Sequence, residues 1–271
     1  MSERNRKTLS VIIPTYGQEK TIVENVRDVE KVLKQLRCDY EVIIIIDGSK
    51  GNKAFDRLKK IKSLKIQVFA YENNKGKGYA VRFGMAKATG DYVAFIDAGG
   101  DLNPNGLSML LEHMEWYNAD IIIGSKLHPV SKVHYPFSRK MLSFFSRTWI
   151  WLLFGLKTRD TQTGMKIFKR KVLLKILPRL VVKKFAFDIE ILAVSKHLGF
   201  KRIFEAPIEL DYNFQSTITN RTFLTVLFKT FVDTLAIFYR LYLLRYYDDK
   251  NKKNWLTEPD LIFSFLKEED K

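Results

Sequence analysis

Two aspartates in the stretch FIDAGGDLNP, Asp97 and Asp101, follow an apolar run and sit among glycines. Carboxylates at a strand end suit Mg2+ or Mn2+, hard ions that take oxygen ligands and share them with a diphosphate. The small neighbours let a ligand approach the backbone there. Asp101 and Asn103 are equally well placed to cap a helix that begins near Pro104. The stretch NNKGKGYAVRFG (73–84) opens another helix with glycines and lysines, so its backbone N–H groups, the helix dipole and Lys77 are groups able to hold phosphate oxygens. In SRKMLSFFSR (138–147), Arg139, Ser143 and either Ser146 or Arg147 recur on one helical face, with Leu142, Phe145 and Trp149 on the other. Arg and Ser beside aromatics match a phosphate at a membrane surface; a plain surface amphipathic helix is the alternative. Asp188 and Glu190 stand mid-helix in FAFDIEIL, where contact with a bound ligand is one reason for buried charge. The four histidines show no metal-ligand spacing, and no Ser/His/Asp grouping stands out.

The elements that must position these groups alternate along the chain. Strand-like runs at 8–14, 41–46 (EVIIII), 66–70, 92–97 and 120–124 are separated by helical spacing at 21–36, 53–63, 77–89 and 105–117. The β-branched run at 41–46 is typical of a parallel strand covered on both faces. Such alternation predicts an α/β fold, a doubly wound and mostly parallel sheet flanked by helices. Ligands of such sheets sit beyond the carboxyl ends of the strands, where PTYGQ, DGSKG, ENNKGKG and DAGGD all fall. After Lys126 the spacing predicts helices at 167–178 and 184–198, a strand at 203–213 and a long helix at 222–247. That last helix carries Lys229, Asp233 and Arg240 on one side, so it is amphipathic, suited to a bilayer interface or to packing on the sheet or a second subunit.

Composition narrows the class. Of 271 residues, 46% are apolar and 28% charged, a globular balance, and the single cysteine, Cys38, excludes a disulfide framework and a cysteine zinc site. The apolar run before Pro14 is too short for a signal peptide, and no run reaches a spanning length of roughly 18 residues, so the expected location is cytoplasmic, peripheral at the inner face of the membrane. The net charge is +16, and it is unevenly placed: residues 1–125 hold 19 Lys+Arg against 16 Asp+Glu, residues 126–271 hold 27 against 14. A basic C-terminal half points to a polyanionic partner. Nucleic acid is not the expected one, because charge alone supports it and no recognised binding module is present.

In combination these motifs resemble glycosyltransferase family 2, and within it the polyprenyl-phosphate (dolichol-phosphate) glucose and mannose synthases. VIIPTYGQE, IIIIDGSKG, NKGKGYAVRFGM, GSK (124–126), SRKMLS, DTQTGMKIF and FAFDIEIL follow in the family's order over about residues 8–213. The last two are more similar to the dolichyl-phosphate glucose type. The resemblance implies a GT-A fold, with 1–213 as the transferase domain (8–125 the nucleotide-sugar half, 126–213 the acceptor half) and 214–271 as an amphipathic helix and charged tail. It implies an inverting transfer of a hexose from a UDP-glucose-like or GDP-mannose donor to a polyprenyl or dolichyl phosphate, assisted by Mg2+ or Mn2+. Pro14, Tyr16, Gln18, Asp47 and Asp97 would line the nucleotide site, Asp160 and Gln162 the sugar and diphosphate. Lys126, Arg139 and Ser143 would receive the acceptor phosphate. The chain departs from the family at Gly99, where a second acid is expected, at Ile46, at Gln18 and at Lys126. Either Asp101 supplies the second acid, or Asp97 holds the metal with water, or the metal site is weakened. A non-catalytic binder of nucleotide sugar or lipid phosphate, and transfer to a saccharide with Asp160 or Asp188 as base, are the rival readings.

Overall fold

The computed structural model describes residues 7–50, 53–61, 63–131, 137–210 and 220–255, with Glu258 and Leu261. Among these, seven strands form one sheet: β1 (Thr8–Thr15), β2 (Asp39–Asp47), β3 (Ile66–Tyr71), β4 (Tyr92–Ile96), β5 (Ile121–Ser125), β6 (Met165–Lys169) and β7 (Ile203–Pro207). Their order is β3-β2-β1-β4-β6-β5-β7. The helices are α1 (Ile22–Leu33), α2 (Ala54–Leu58), α3 (Lys77–Lys87), α4 (Gly106–Trp116), α5 (Phe137–Phe154), α6 (Arg170–Ile176), α7 (Phe187–His197) and α8 (Asn220–Phe238).

The isoleucine run of β2 explains why both faces of the sheet are covered. Ile43 and Ile45 point into one core, which takes Tyr79 of α3, Val172 of α6, Ile189 of α7 and Ile237 of α8. Ile44 and Ile46 point into the other, with Ile22 and Val26 of α1 and Leu107 of α4. Each such fully buried side chain contributes about 1.5–3 kcal/mol of transfer free energy. The side-chain period of two forces the alternation, and parallel pairing of β1 with β2 and β4, and of β2 with β3, follows from the helical crossovers.

Three elements differ from the sequence expectation. Residues 167–169 belong not to a helix but to β6, which runs antiparallel between β4 and β5; the helix starts only at Arg170. Met165 and Ile167 face one core and Phe168 the other, so the apolar spacing there has period two before it changes to helical. The expected helix 222–247 leaves α-geometry after Phe238 and continues as a π-helical turn at Tyr239–Leu243. The strand expected over 203–213 ends at Pro207, with Leu210 making a single bridge to Leu102.

The chain after α8 folds back on the sheet. Tyr247 is fully buried and its hydroxyl donates to Glu190 Oε1 at 2.7 Å, while Val181 and Val182 N–H donate to the same carboxylate. Arg179 donates to Tyr247 O and Asp249 Oδ1 and lies over the Trp255 ring at 4.3 Å. Leu241, Tyr247 and Leu261 thus join the core of α6 and α7. Glu190 is explained by this clamp and not by a ligand.

Candidate active site

Asp97 follows the last residue of β4, and it and the turn after it are held by three hydrogen bonds through backbone groups. Its N–H donates to Gly164 O at 2.8 Å, Asn25 of α1 donates to Ala98 O at 2.7 Å, and Asn103 N–H donates to Glu209 O at 3.1 Å. The carboxyl lies against the Cα of Gly164, so closely that a Cβ at that position would overlap it. The glycine of DTQTGMK is therefore required by the aspartate across from it. Asp97 keeps 34% of its side chain open. Its Oδ1 is nevertheless buried and has no hydrogen-bond partner. Burial holds the Asp97 carboxyl above the usual carboxylate range, against the pull of Lys77.

Lys77 reaches Asp97 from the start of α3. Its ammonium donates to Asp97 Oδ2 at 3.0 Å and to Asp188 Oδ2 at 3.2 Å. On the far side of Asp188, Lys166 donates to Oδ1 at 2.5 Å and also to Thr163 O at 2.6 Å. Four charges of alternating sign, from the end of β4, α3, α7 and β6, thus form a chain running from a partly open carboxylate into the core. Burial works against the Lys77 ammonium, but Asp188 and Asp97 outweigh it and hold its pKa above the usual lysine range. Burial likewise opposes ionisation of Asp188, and Lys166 and Lys77 overcome it, so its carboxyl lies below its ordinary value.

The glycines on either side of Lys77 have a packing cause. Gly76 has φ +100 and lies under Lys183 O, while a Cβ at Gly78 would meet the Cβ of Phe187 at 2.5 Å. The start of α3 therefore sits flush on residues 182–187. The expectation that its backbone N–H groups hold phosphate is corrected in part by their partners. Lys75 and Gly76 N–H donate to Asp47 at 2.6 and 2.9 Å, and Tyr79 N–H donates to Lys183 O at 3.1 Å. The side chain of Lys77 is the cationic group that this turn brings to Asp97.

Most of the other expected residues follow the carboxyl-terminal ends of strands, and several of them are already engaged. Asp47 is buried with both oxygens taken, Asn74 adding a third donor at 3.1 Å, so it braces the 74–76 loop and does not present a free carboxylate. Pro14 is buried in β1, opposite Ile45. Tyr16, just past the strand, is 63% exposed. Gln18 Oε1 accepts from Thr15 Oγ1 and Tyr16 N–H, which closes the turn after β1. Asp160 Oδ2 accepts from the backbone N–H of Lys126 at 3.0 Å, which joins the end of β5 to the DTQ loop, and Gln162 is exposed on that loop. Arg139 and Ser143 fall on the first half of α5, where their side chains lie outside the described residues. Asp188 stands out in the sequence without a partner, and Lys166 does not stand out; the fold pairs the two beside Lys77. The signal for Lys166 is a lysine in the alternating strand MKIFK at a position facing the core.

A divalent cation is compatible with these residues. Asp97 offers a buried oxygen without a partner, and Asp101 Oδ1 stands 2.9 Å from where a Cβ on Gly99 would be. The carboxylate of Asp101 thus leans over the position whose side chain is absent.

Comparison with solved structures shows a GT-A fold. The chain aligns with glucosyl-3-phosphoglycerate synthase from Mycobacterium tuberculosis in complex with Mn2+, UDP and glucosyl-3-phosphoglycerate at a TM-score of 0.62 and 20% identity, covering 86% of this chain and 79% of the other. With the UDP complex of that enzyme the TM-score is 0.65 at 17% identity, covering 86% and 80%. Among curated proteins, the chain is 31% identical over 205 residues to a dolichyl-phosphate beta-glucosyltransferase of Dictyostelium discoideum and 33% identical over 205 residues to one of Drosophila melanogaster. Each alignment covers 70% of this chain and 63% of the relative, so the chain spans a little under two thirds of their length. The glycosyl transferase family 2 model matches residues 10–177, a stretch that contains Asp97, Lys77 and Lys166, and by that match the chain belongs to glycosyl transferase family 2.

Proposed function

We propose that this protein transfers glucose from a nucleotide sugar to a polyprenyl or dolichyl phosphate, with inversion, at a membrane surface. The observation that carries the reading is Asp97, a fixed carboxylate with one unpartnered buried oxygen and Lys77 on the other, at the carboxyl edge of a GT-A sheet. The similarity to dolichyl-phosphate beta-glucosyltransferases favours glucose over mannose and a lipid phosphate over a saccharide.

The chemistry asks little of a general base. A lipid phosphate is already anionic near neutral pH, so it can attack the anomeric carbon directly; in-line attack converts an α-linked donor to a β-linked product. The difficulty is electrostatic, since two anions must meet and a diphosphate must leave. A Mg2+ or Mn2+ ion held by Asp97, with Asp101 beside it, would supply Lewis-acid neutralisation of that diphosphate. Lys77 adds a fixed positive charge at the same place, while Lys126, Arg139 and Ser143 are the residues proposed to take the acceptor phosphate.

The outer face of α5 and α8 supports the membrane half of the reading. The two helices pack through Trp149 and Phe231, stacked at 5.1 Å, and through Phe154 and Phe238 at 6.5 Å. Outside that seam Trp151, Leu152, Phe228, Val232, Tyr242 and Leu243 are exposed. Large apolar groups left on one side of a basic protein suit an interfacial bilayer contact. Among the described residues no helix is long and apolar enough to cross a membrane.

The test is to incubate the purified protein with a short-chain polyprenyl phosphate, Mg2+ or Mn2+, and UDP-glucose or GDP-mannose in turn, and to weigh the lipid product by mass spectrometry. Glucosyl lipid phosphate from UDP-glucose is the expected result. Nucleotide binding without product from either donor would replace this reading with the non-catalytic one.

A further inference from the structure

Lys77 stands between two carboxylates at nearly equal distances, 3.0 Å to Asp97 and 3.2 Å to Asp188. Only one of the two faces the open side of the site. Asp188 is 2% exposed and is pinned through its other oxygen by Lys166, itself fully buried. Asp188 Oδ2 is therefore a fixed acceptor aimed at Lys77, whatever happens at Asp97. Asp97 Oδ1 has no partner, and Gly99 puts no acid two residues further on. A cation arriving at Asp97 would share that carboxylate with an ammonium ion, and like charges on one carboxylate repel.

Resting on the transferase reading above, we propose that Asp188 is a positioning residue for the donor diphosphate: it is the acceptor onto which Lys77 withdraws when a divalent cation takes Asp97. The withdrawal gives up one charge-assisted hydrogen bond and keeps the other, so Lys77 stays charged and stays beside the leaving diphosphate. Asp97 Oδ2 is then released to the cation, which offsets in part the missing carboxylate at Gly99.

The charge balance gives the device a second property. Asp97, Lys77, Asp188 and Lys166 sum to zero when all are ionised. A dication alone leaves two uncompensated positive charges in a partly buried site, and a diphosphate alone leaves uncompensated negative charge. The dication with the doubly charged diphosphate of a nucleotide sugar restores neutrality, and with UDP it leaves the site within one charge of it. Cation and nucleotide therefore bind cooperatively, each strengthening the other by the same factor.

Calorimetry with MnCl2 and UDP as the probes tests this without any lipid acceptor or turnover. In the wild-type protein, saturating UDP is expected to tighten Mn2+ binding about tenfold or more, a typical coupling between two sites. Lys77→Gln removes the competing ammonium, and Mn2+ alone should then bind about tenfold tighter than to wild type, while UDP binds more weakly. Asp188→Asn leaves Lys77 with Asp97 only, and Mn2+ should bind about tenfold weaker. Because Asp188→Asn strands the buried Lys166 charge and is at risk of misfolding, the paired change Lys166→Met with Asp188→Leu is the second variant. Replacing a buried ion pair by apolar groups of similar size is often tolerated. The paired variant should keep a thermal midpoint near wild type and show the same weakened Mn2+ binding as Asp188→Asn.

Opposite signs for Lys77 and Asp188 variants support the inference, because a purely structural role would weaken binding in both. Equal direction in the two, or unchanged Mn2+ affinity in the paired variant, overturns it and leaves the transferase reading standing. Failure of the wild-type protein to bind Mn2+ and UDP at all overturns both.

Discussion

Asp97 is placed by its N–H bond to Gly164 O and by backbone bonds of the turn that follows, so its side chain can be changed without removing them. Asp97→Asn should therefore leave the unfolding transition close to wild type and reduce glucosyl transfer at least about a hundredfold, the scale seen when a preorganised charge in a reaction site is lost. Parallel loss of activity and of the calorimetric transition would show that the residue holds the fold. Gly164→Ala probes the same carboxylate from the other side. The added methyl must displace Asp97, because the Gly164 O to Asp97 N–H bond prevents the two strands from parting. The expected outcome is a loss of transfer close to that of Asp97→Asn, with an overpacking cost of about 1–3 kcal/mol in urea denaturation. Asp97 and Lys77 were legible in the sequence because each sits in a glycine-marked turn whose position at a strand end is local information. Asp188 was legible only as a charge in an apolar helix, and Lys166 was not legible. The two are 22 residues apart in sequence and lie on a helix and a strand, so only the tertiary fold pairs them. Asp47 shows the converse. Its place in the motif is plain, but the three donors that occupy it come from a loop 27–29 residues downstream.

At the scale of elements, the strands read correctly where both faces are buried and the apolar run is unbroken, as in β2. β6 was hidden because its five residues are followed directly by α6, and the combined apolar spacing of 167–178 reads as one helix. Its antiparallel insertion between β4 and β5 is set by long-range pairing that no local pattern records. The segment after α8 was hidden too: residues to 247 read as one continuous helix and the rest as a charged tail, yet Tyr247 and Leu261 are buried in the core of α6 and α7. Tyr247→Phe tests that attachment with the ring retained. It takes one donor from the fully buried Glu190, and a buried acceptor left short of a partner costs about 1–3 kcal/mol. Urea unfolding should register that loss. Limited proteolysis after residue 238 should become faster in the variant, since the clamp on α7 is what holds the segment down. Unchanged stability would mean that Arg179, through Tyr247 O and Asp249, carries the attachment alone.

The whole molecule combines two features that neither residues nor elements show separately. Its charge of +16 is concentrated after residue 125, and that same half carries the exposed aromatic and aliphatic side chains of α5, α8 and the turn that follows. Charge alone is compatible with any polyanion; exposed apolar side chains in the same half favour the proposed contact with an anionic bilayer, where attraction by headgroups and burial of side chains would act together. Phe228 and Leu243 are 68% and 63% exposed, and neither contributes to the core. Replacing both by serine should leave the fold and the nucleotide site untouched. Full burial of such side chains is worth about 1.5–3 kcal/mol each, and a shallow interfacial contact recovers part of it, so binding to anionic vesicles should fall about tenfold or more. The residual binding should be salt-sensitive, because the remaining attraction is between exposed charges screened over about 8–10 Å at physiological salt. Transfer to a water-soluble short-chain acceptor should persist in the double variant while transfer to a vesicle-embedded acceptor drops, which separates docking from chemistry. Unchanged vesicle binding together with a smaller sedimentation coefficient would assign the face instead to a second copy of the chain.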